Sequence, residues 1–170
     1  RSDTAWITQL TPASPLPSDS TLYYPNGLLS DRYNQFWVSQ PDGRVARIRD
    51  ESIRFFQLHS PLENGSSHTG FIFAESPDGT LFAGSTSGQL FRYSPDEDRF
   101  EQLHTPSSLK QIHCLLWQGS TLLVGGKGLY RCTFRPGRTL QWHHDSLQGQ
   151  TVLSLAPGHS SNQILLGTVR

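Results

Sequence analysis

The string Arg-Phe-Phe-Gln-Leu-His-Ser-Pro at residues 54–61 returns at residues 99–106 as Arg-Phe-Glu-Gln-Leu-His-Thr-Pro. Weaker echoes stand at Leu140-Gln141-Trp142-His143-His144 and at Ile7-Thr8-Gln9-Leu10-Thr11-Pro12. Self-similarity at a period of about 40 to 50 residues marks a repeat architecture, in which a unit buries its apolar faces only against its neighbours.

Each unit reads as β-strands. In the central unit, strand-like runs at 70–75, 80–84, 89–93 and 99–104 are separated by Ser76-Pro77-Asp78-Gly79, Thr86-Ser87-Gly88 and the segment 94–98. Asp-Gly and Ser-Gly between such runs are hairpin signals, because glycine takes the positive φ that tight turns need. The following unit repeats the pattern at 112–117, 121–125 and 129–134; the preceding one supplies 36–39 and 45–48. No segment sustains a 3.6-residue apolar period. The expected fold is all-β, built of four-stranded antiparallel β-propeller blades. Strands are named a to d from the centre of a blade outwards. The expected organisation is an outer strand of a preceding blade at 1–12, blades at 20–60, 69–105 and 110–145, and a truncated blade at 150–170. A ring closes with roughly four to eight blades, so about three and a half leave it incomplete, with two unclosed apolar faces. Further blades of a longer chain, or a second copy, would cover them.

Composition excludes several classes. The 14 basic and 14 acidic residues cancel, and the two lysines, Lys110 and Lys127, lie apart, so no footprint for nucleic acid or an anionic membrane exists. No apolar run approaches the roughly 18 residues of a membrane helix, so a membrane would be met only through parts of a parent chain. The sequence opens on Arg1, contains no Met and stops inside a repeat unit, from which we expect an excised or processed piece of a larger protein.

The segment Ala83-Gly84-Ser85-Thr86-Ser87-Gly88-Gln89-Leu90-Phe91-Arg92-Tyr93-Ser94-Pro95 resembles the W-x-G-T-x-x-G-L-x-R-Y-D-P core of two-component regulator propeller repeats. Residues 124–131 and Leu166-Gly167-Thr168 are similar again, and Trp37 keeps the motif's aromatic although Ser39 and Gln40 replace its Gly-Thr. The resemblance implies the periplasmic sensor part of a membrane-spanning histidine kinase or diguanylate cyclase, with oligosaccharides as frequent ligands.

Chemical candidates are few. His59, His104 and His144 recur once per unit on the outer strand, so they sit at different points of the rim and cannot converge on one ion, whose ligands lie about 2 Å away. They are expected to pack or bond between blades. Cys114 and Cys132 fall on the first and third strands of one unit, roughly 9.5 Å apart, beyond the reach of a disulfide, and are expected as free buried thiols. Asp42, Asp78 and Asp96-Glu97-Asp98 sit in turns, where Asp serves backbone geometry. No nucleophile, phosphate-loop or calcium-loop motif occurs; no catalytic residue, metal or cofactor is expected. Ligands of propellers enter at the face built from b-to-c turns and d-to-a connections, here 11–21, 60–70, 105–111 and 145–150 with the turns at Asp42, Ser87 and Lys127. Asn64, His68, Lys110 and Lys127 are the candidate ligand-binding residues there.

The reading is a ligand-sensing extracytoplasmic segment of a bacterial signalling receptor, with a small molecule or oligosaccharide as ligand and with self-association through the unclosed faces. A protein-docking scaffold and a propeller lyase or glycan-active enzyme are the alternatives.

Overall fold

The computed structural model describes residues 27–40, 42–50, 52–58, 70–134, 140–145, 147–160 and 163–170. Its first sheet runs β1 (Leu28–Ser30), β2 (Phe36–Ser39), β3 (Arg44–Arg49), β4 (Ser52–Gln57), each strand antiparallel to the next. The second runs β5 (Phe71–Glu75), β6 (Leu81–Ser85), β7 (Leu90–Ser94), β8 (Arg99–Leu103) in the same order. The third comprises β9 (Cys114–Gln118), β10 (Thr121–Gly126), β11 (Gly128–Thr133) and β12 (Gln141–Asp145). A 3₁₀ turn, Leu147–Gly149, leads into the antiparallel pair β13 (Thr151–Pro157) and β14 (Ile164–Val169). That pair touches the third sheet's edge only through the bridges of Thr151 with Gly128 and Lys127. The all-β blade architecture read from the repeat is what the chain adopts, and among the described residues the sheets do not close a ring.

The sheets stack face to face, and three apolar clusters lie between them. Trp37, Val45, Phe56, Phe71, Leu81, Phe91 and Tyr93 join the first sheet to the second. Phe82, Leu90, Ile112, Leu115, Leu122 and Tyr130 join the second to the third. Cys114, Leu123, Leu129 and Val152 join the third to the β13–β14 pair. Burying one such side chain contributes about 1.5–3 kcal/mol. At the two ends the faces stay bare: Leu28 on one side, and Leu153, Leu165 and Val169 on the other, are each more than two-fifths exposed.

Polar groups lock the first interface. Asp31, buried in the β1–β2 turn, accepts the Trp37 indole N–H at 2.9 Å and the backbone N–H groups of Tyr33 and Gln35. This fixes the ring that Phe56, Tyr93 and Phe100 surround at centroid distances of 4.8–5.9 Å. Arg47 crosses the same interface and donates to the Tyr93 hydroxyl at 2.5 Å and to Asp98 Oδ1 at 2.9 Å, while Arg54 pairs with the other oxygen of Asp98. On the opposite edge, Arg32 of the first a-to-b turn pairs with Glu75 at 2.7 Å and donates to the carbonyls of Ser76 and Pro77 in the second.

Two measurements test this account. Burial, and then the hydrogen bond to Asp98, push the Tyr93 hydroxyl from its ordinary 10 up to about 12. The group's contribution is complete below pH 10; above it the unfolded chain ionises first, so stability falls between pH 10 and 12. Thermal unfolding midpoints across that window should drop more steeply in the parent than in Tyr93→Phe. Gly88 has φ +85°, and a Cβ there would overlap the Leu109 carbonyl; Gly119, at φ +57°, has open space around it. Gly88→Ala should therefore cost about 1–3 kcal/mol more in urea unfolding than Gly119→Ala, which carries only the left-handed backbone penalty.

Candidate functional site

The b-to-c turns and d-to-a connections share one face because each connection lies directly on a turn. The 104–113 connection passes over Gly88, with the Leu109 carbonyl and Lys110 backbone against it, and then over Gly126, where the Gln111 carbonyl lies. Two hydrogen bonds hold it: Ile112 N–H to the Ser85 carbonyl at 3.3 Å and His113 N–H to the Gly125 carbonyl at 2.8 Å. Gly128 N–H likewise donates to the Gln150 carbonyl at 2.9 Å on the next connection. Inside the first two turns the buried Ser39 and Ser85 satisfy backbone donors. The Ser39 hydroxyl accepts from Phe71 N–H at 2.9 Å and that of Ser85 from Gln89 N–H at 3.0 Å.

This crossing brings Lys110 and Lys127 to one patch: Lys110 precedes the residue seated on Gly126, and Lys127 follows Gly126. Both lysines are exposed. Behind Lys127, the ring of His144 stacks on Tyr130 at 4.1 Å and bonds through Nε2 to the Lys127 carbonyl at 3.0 Å, and the Tyr130 hydroxyl donates to the Ser108 carbonyl at 3.0 Å. His144 was expected to act between blades; it instead braces the b-to-c turn of its own blade, because β11 and β12 pair Tyr130 directly with it. Asn64, His68 and His59 lie outside the described residues. Cys114 and Cys132 are free and buried, and burial pushes their thiols up to about 11 and 12. They also face opposite sides of the sheet, Cys114 toward Val152 and Cys132 toward the second sheet, which separates them further than strand spacing alone.

A second feature was not found from sequence. The β13–β14 pair covers only the inner half of the third sheet, and a concavity of about 580 Å³ opens over the outer half, lined by Thr121, Arg131, Thr133, Gln141, Trp142 and His143. Beside it, Arg131 Nη2 pairs with Asp145 Oδ2 at 2.8 Å and His143 Nε2 lies 3.1 Å from Asp145 Oδ1. Only the cross-strand register puts these residues on one face.

No protein-family profile and no curated protein sequence matches the chain. Solved structures share its fold. The extracellular domain of the hybrid two-component system BT4673 from B. thetaiotaomicron superposes at TM-score 0.65 and 20% identity over 90% of this chain and 21% of that one. Virginiamycin B lyase from Staphylococcus aureus matches at TM-score 0.63 and 14% identity, over 82% of this chain and 47% of the lyase. The computationally designed protein Ika4 matches at 0.64 and 15%, over 88% of each chain. The chain thus spans about a fifth of the receptor domain and about half of the lyase.

Proposed function

We propose that this chain is a ligand-sensing, extracytoplasmic propeller segment of a bacterial transmembrane signalling receptor of the two-component or cyclic-di-GMP type, with no catalysis of its own. The observation that carries the reading is the strand-for-strand likeness, over 90% of the chain, to the extracellular domain of a hybrid two-component system. The repeat motifs around Gly84-Ser85 and Arg92-Tyr93 support the same reading. Ligand enters at the face where Lys110 and Lys127 meet, with Asn64 and His68 as further contacts. Binding across connections of adjacent blades biases how those blades stack, and the population shift passes to an output beyond this segment. No helix among the described residues is long and apolar enough to cross a membrane, so the anchor belongs to other parts of the parent. Since a lyase carries the same fold, fold alone does not decide between sensing and catalysis.

The two lysines favour an acidic saccharide. Titrating the chain with a pentagalacturonate should give saturable binding, and Lys110→Ala or Lys127→Ala should weaken it about tenfold, or about 1.4 kcal/mol. Turnover of that glycan would replace the sensor reading with the enzyme one, and indifference of both variants would remove the turn face from it. The bare Leu153, Leu165 and Val169 support a second copy stacking on the open end. Light scattering should then give twice 19.0 kDa, and a monomer at every concentration would exclude that contact.

A further inference from the structure

The concavity on the outer half of the third sheet lies on the flank of the arc, away from the turn face, and its chemistry departs from that of the equivalent surfaces on the other two sheets. Val45, Leu90 and Leu129 hold the same place on the third strand of each sheet, two residues before Arg47, Arg92 and Arg131. Their cross-strand partners on the fourth strand are Phe56, Leu103 and Asp145. The first two partners are apolar and join the clusters beneath the next blade. At the third position a carboxylate stands instead, and around it the same face carries Thr121, Arg131, Thr133, Gln141 and His143. A surface with that set cannot be stacked dry against another sheet, because each buried polar group without a partner costs about 1–3 kcal/mol. It is built to stay in contact with polar matter.

The groups are also held in place. Asp145 takes the Arg131 guanidinium on one oxygen and the His143 ring on the other, and the side chains of Arg131 and His143 remain 50% and 69% exposed. The guanidinium's charge is already compensated, so a free anion gains little there. Carboxylate, amide and hydroxyl oxygens that accept alternate with guanidinium, amide and hydroxyl groups that donate. That alternation matches a neutral ligand bearing neighbouring hydroxyls, each of which donates once and accepts once. The volume, about 580 Å³, falls in the range of small-molecule sites.

We propose that this flank is a second binding site, for a neutral polyhydroxylated ligand of the monosaccharide class, with Asp145 and Arg131 gripping a pair of adjacent hydroxyls. The site stands whether or not the turn face binds acidic saccharides.

The test is titration of the isotope-labelled 170-residue chain with glucose, galactose and mannose, and with glucuronate for comparison, following the ¹H–¹⁵N signals of Arg131 Nε and the Gln141 amide. At least one neutral hexose should shift both signals saturably. Asp145→Asn should weaken that binding about tenfold or more, while Lys110→Ala and Lys127→Ala leave it unchanged. If Asp145→Asn disturbs the fold, Thr133→Val supplies the same comparison from the opposite wall. Absence of saturation with all three hexoses overturns the proposal, as does retained affinity in the folded Asp145→Asn variant. Tighter binding of glucuronate than of any neutral hexose overturns the assigned ligand class. Loss of binding on changing the lysines moves the ligand to the turn face, leaving the sensing role intact and this site refuted.

Discussion

A four-stranded sheet that is apolar on both faces cannot persist alone in water, and the rest of this structure follows from that constraint. Trp37, Phe82 and Leu123 occupy the same place on the second strand of successive sheets, and each is almost wholly buried toward the next sheet. Stacking therefore proceeds in one direction along the chain, and each connection from an outer strand to the next inner strand must cross over the preceding blade's turn. The crossing over Gly88 and Gly126 creates the face on which Lys110 and Lys127 meet. The candidate site is a by-product of stacking, positioned by backbone contact rather than by side-chain chemistry.

Where stacking is interrupted, the exposed surfaces differ in kind. The open side of the β13–β14 pair is apolar, with Leu153, Leu165 and Val169, and invites another sheet. The outer half of the third sheet is polar, with Arg131, His143 and Asp145 already bonded to one another. Hydrophobic burial governs the first surface and desolvation cost the second, so the two do not call for the same partner.

Polar groups at the interfaces refine rather than create the assembly. At the first interface Arg47 reaches Tyr93 and Asp98 of the next sheet, whereas at the second the equivalent Arg92 is held by Glu101 of its own sheet at 2.8 Å. The repeated arginine thus has a conserved backbone place but no single partner. Its partner is whatever acid the neighbouring turn or outer strand provides, and exposed pairs of this kind contribute at most about 1 kcal/mol.

Strand periodicity, turn glycines and the 40-to-50-residue repeat were legible in the sequence because they are local: alternation, positive φ and self-similarity need no knowledge of distant residues. They determined the all-β blade architecture and the free state of Cys114 and Cys132. What they could not supply is register. Leu58 and Leu103 hold the same place in the repeated string, yet the residue paired with Val45 is Phe56 and that paired with Leu90 is Leu103. The string slides by two residues because the preceding turns differ in length, Asp50-Glu51 against Pro95 to Asp98. A slide of two keeps every side chain on its own face but changes its neighbours, so the string places His144 beside no particular partner and leaves Asp145 outside the pattern. Only the folded sheets decided that His144 lies on Tyr130 and that Asp145 joins Arg131 and His143, because cross-strand pairing depends on turn length and stacking together, and neither is written in any one stretch of the chain.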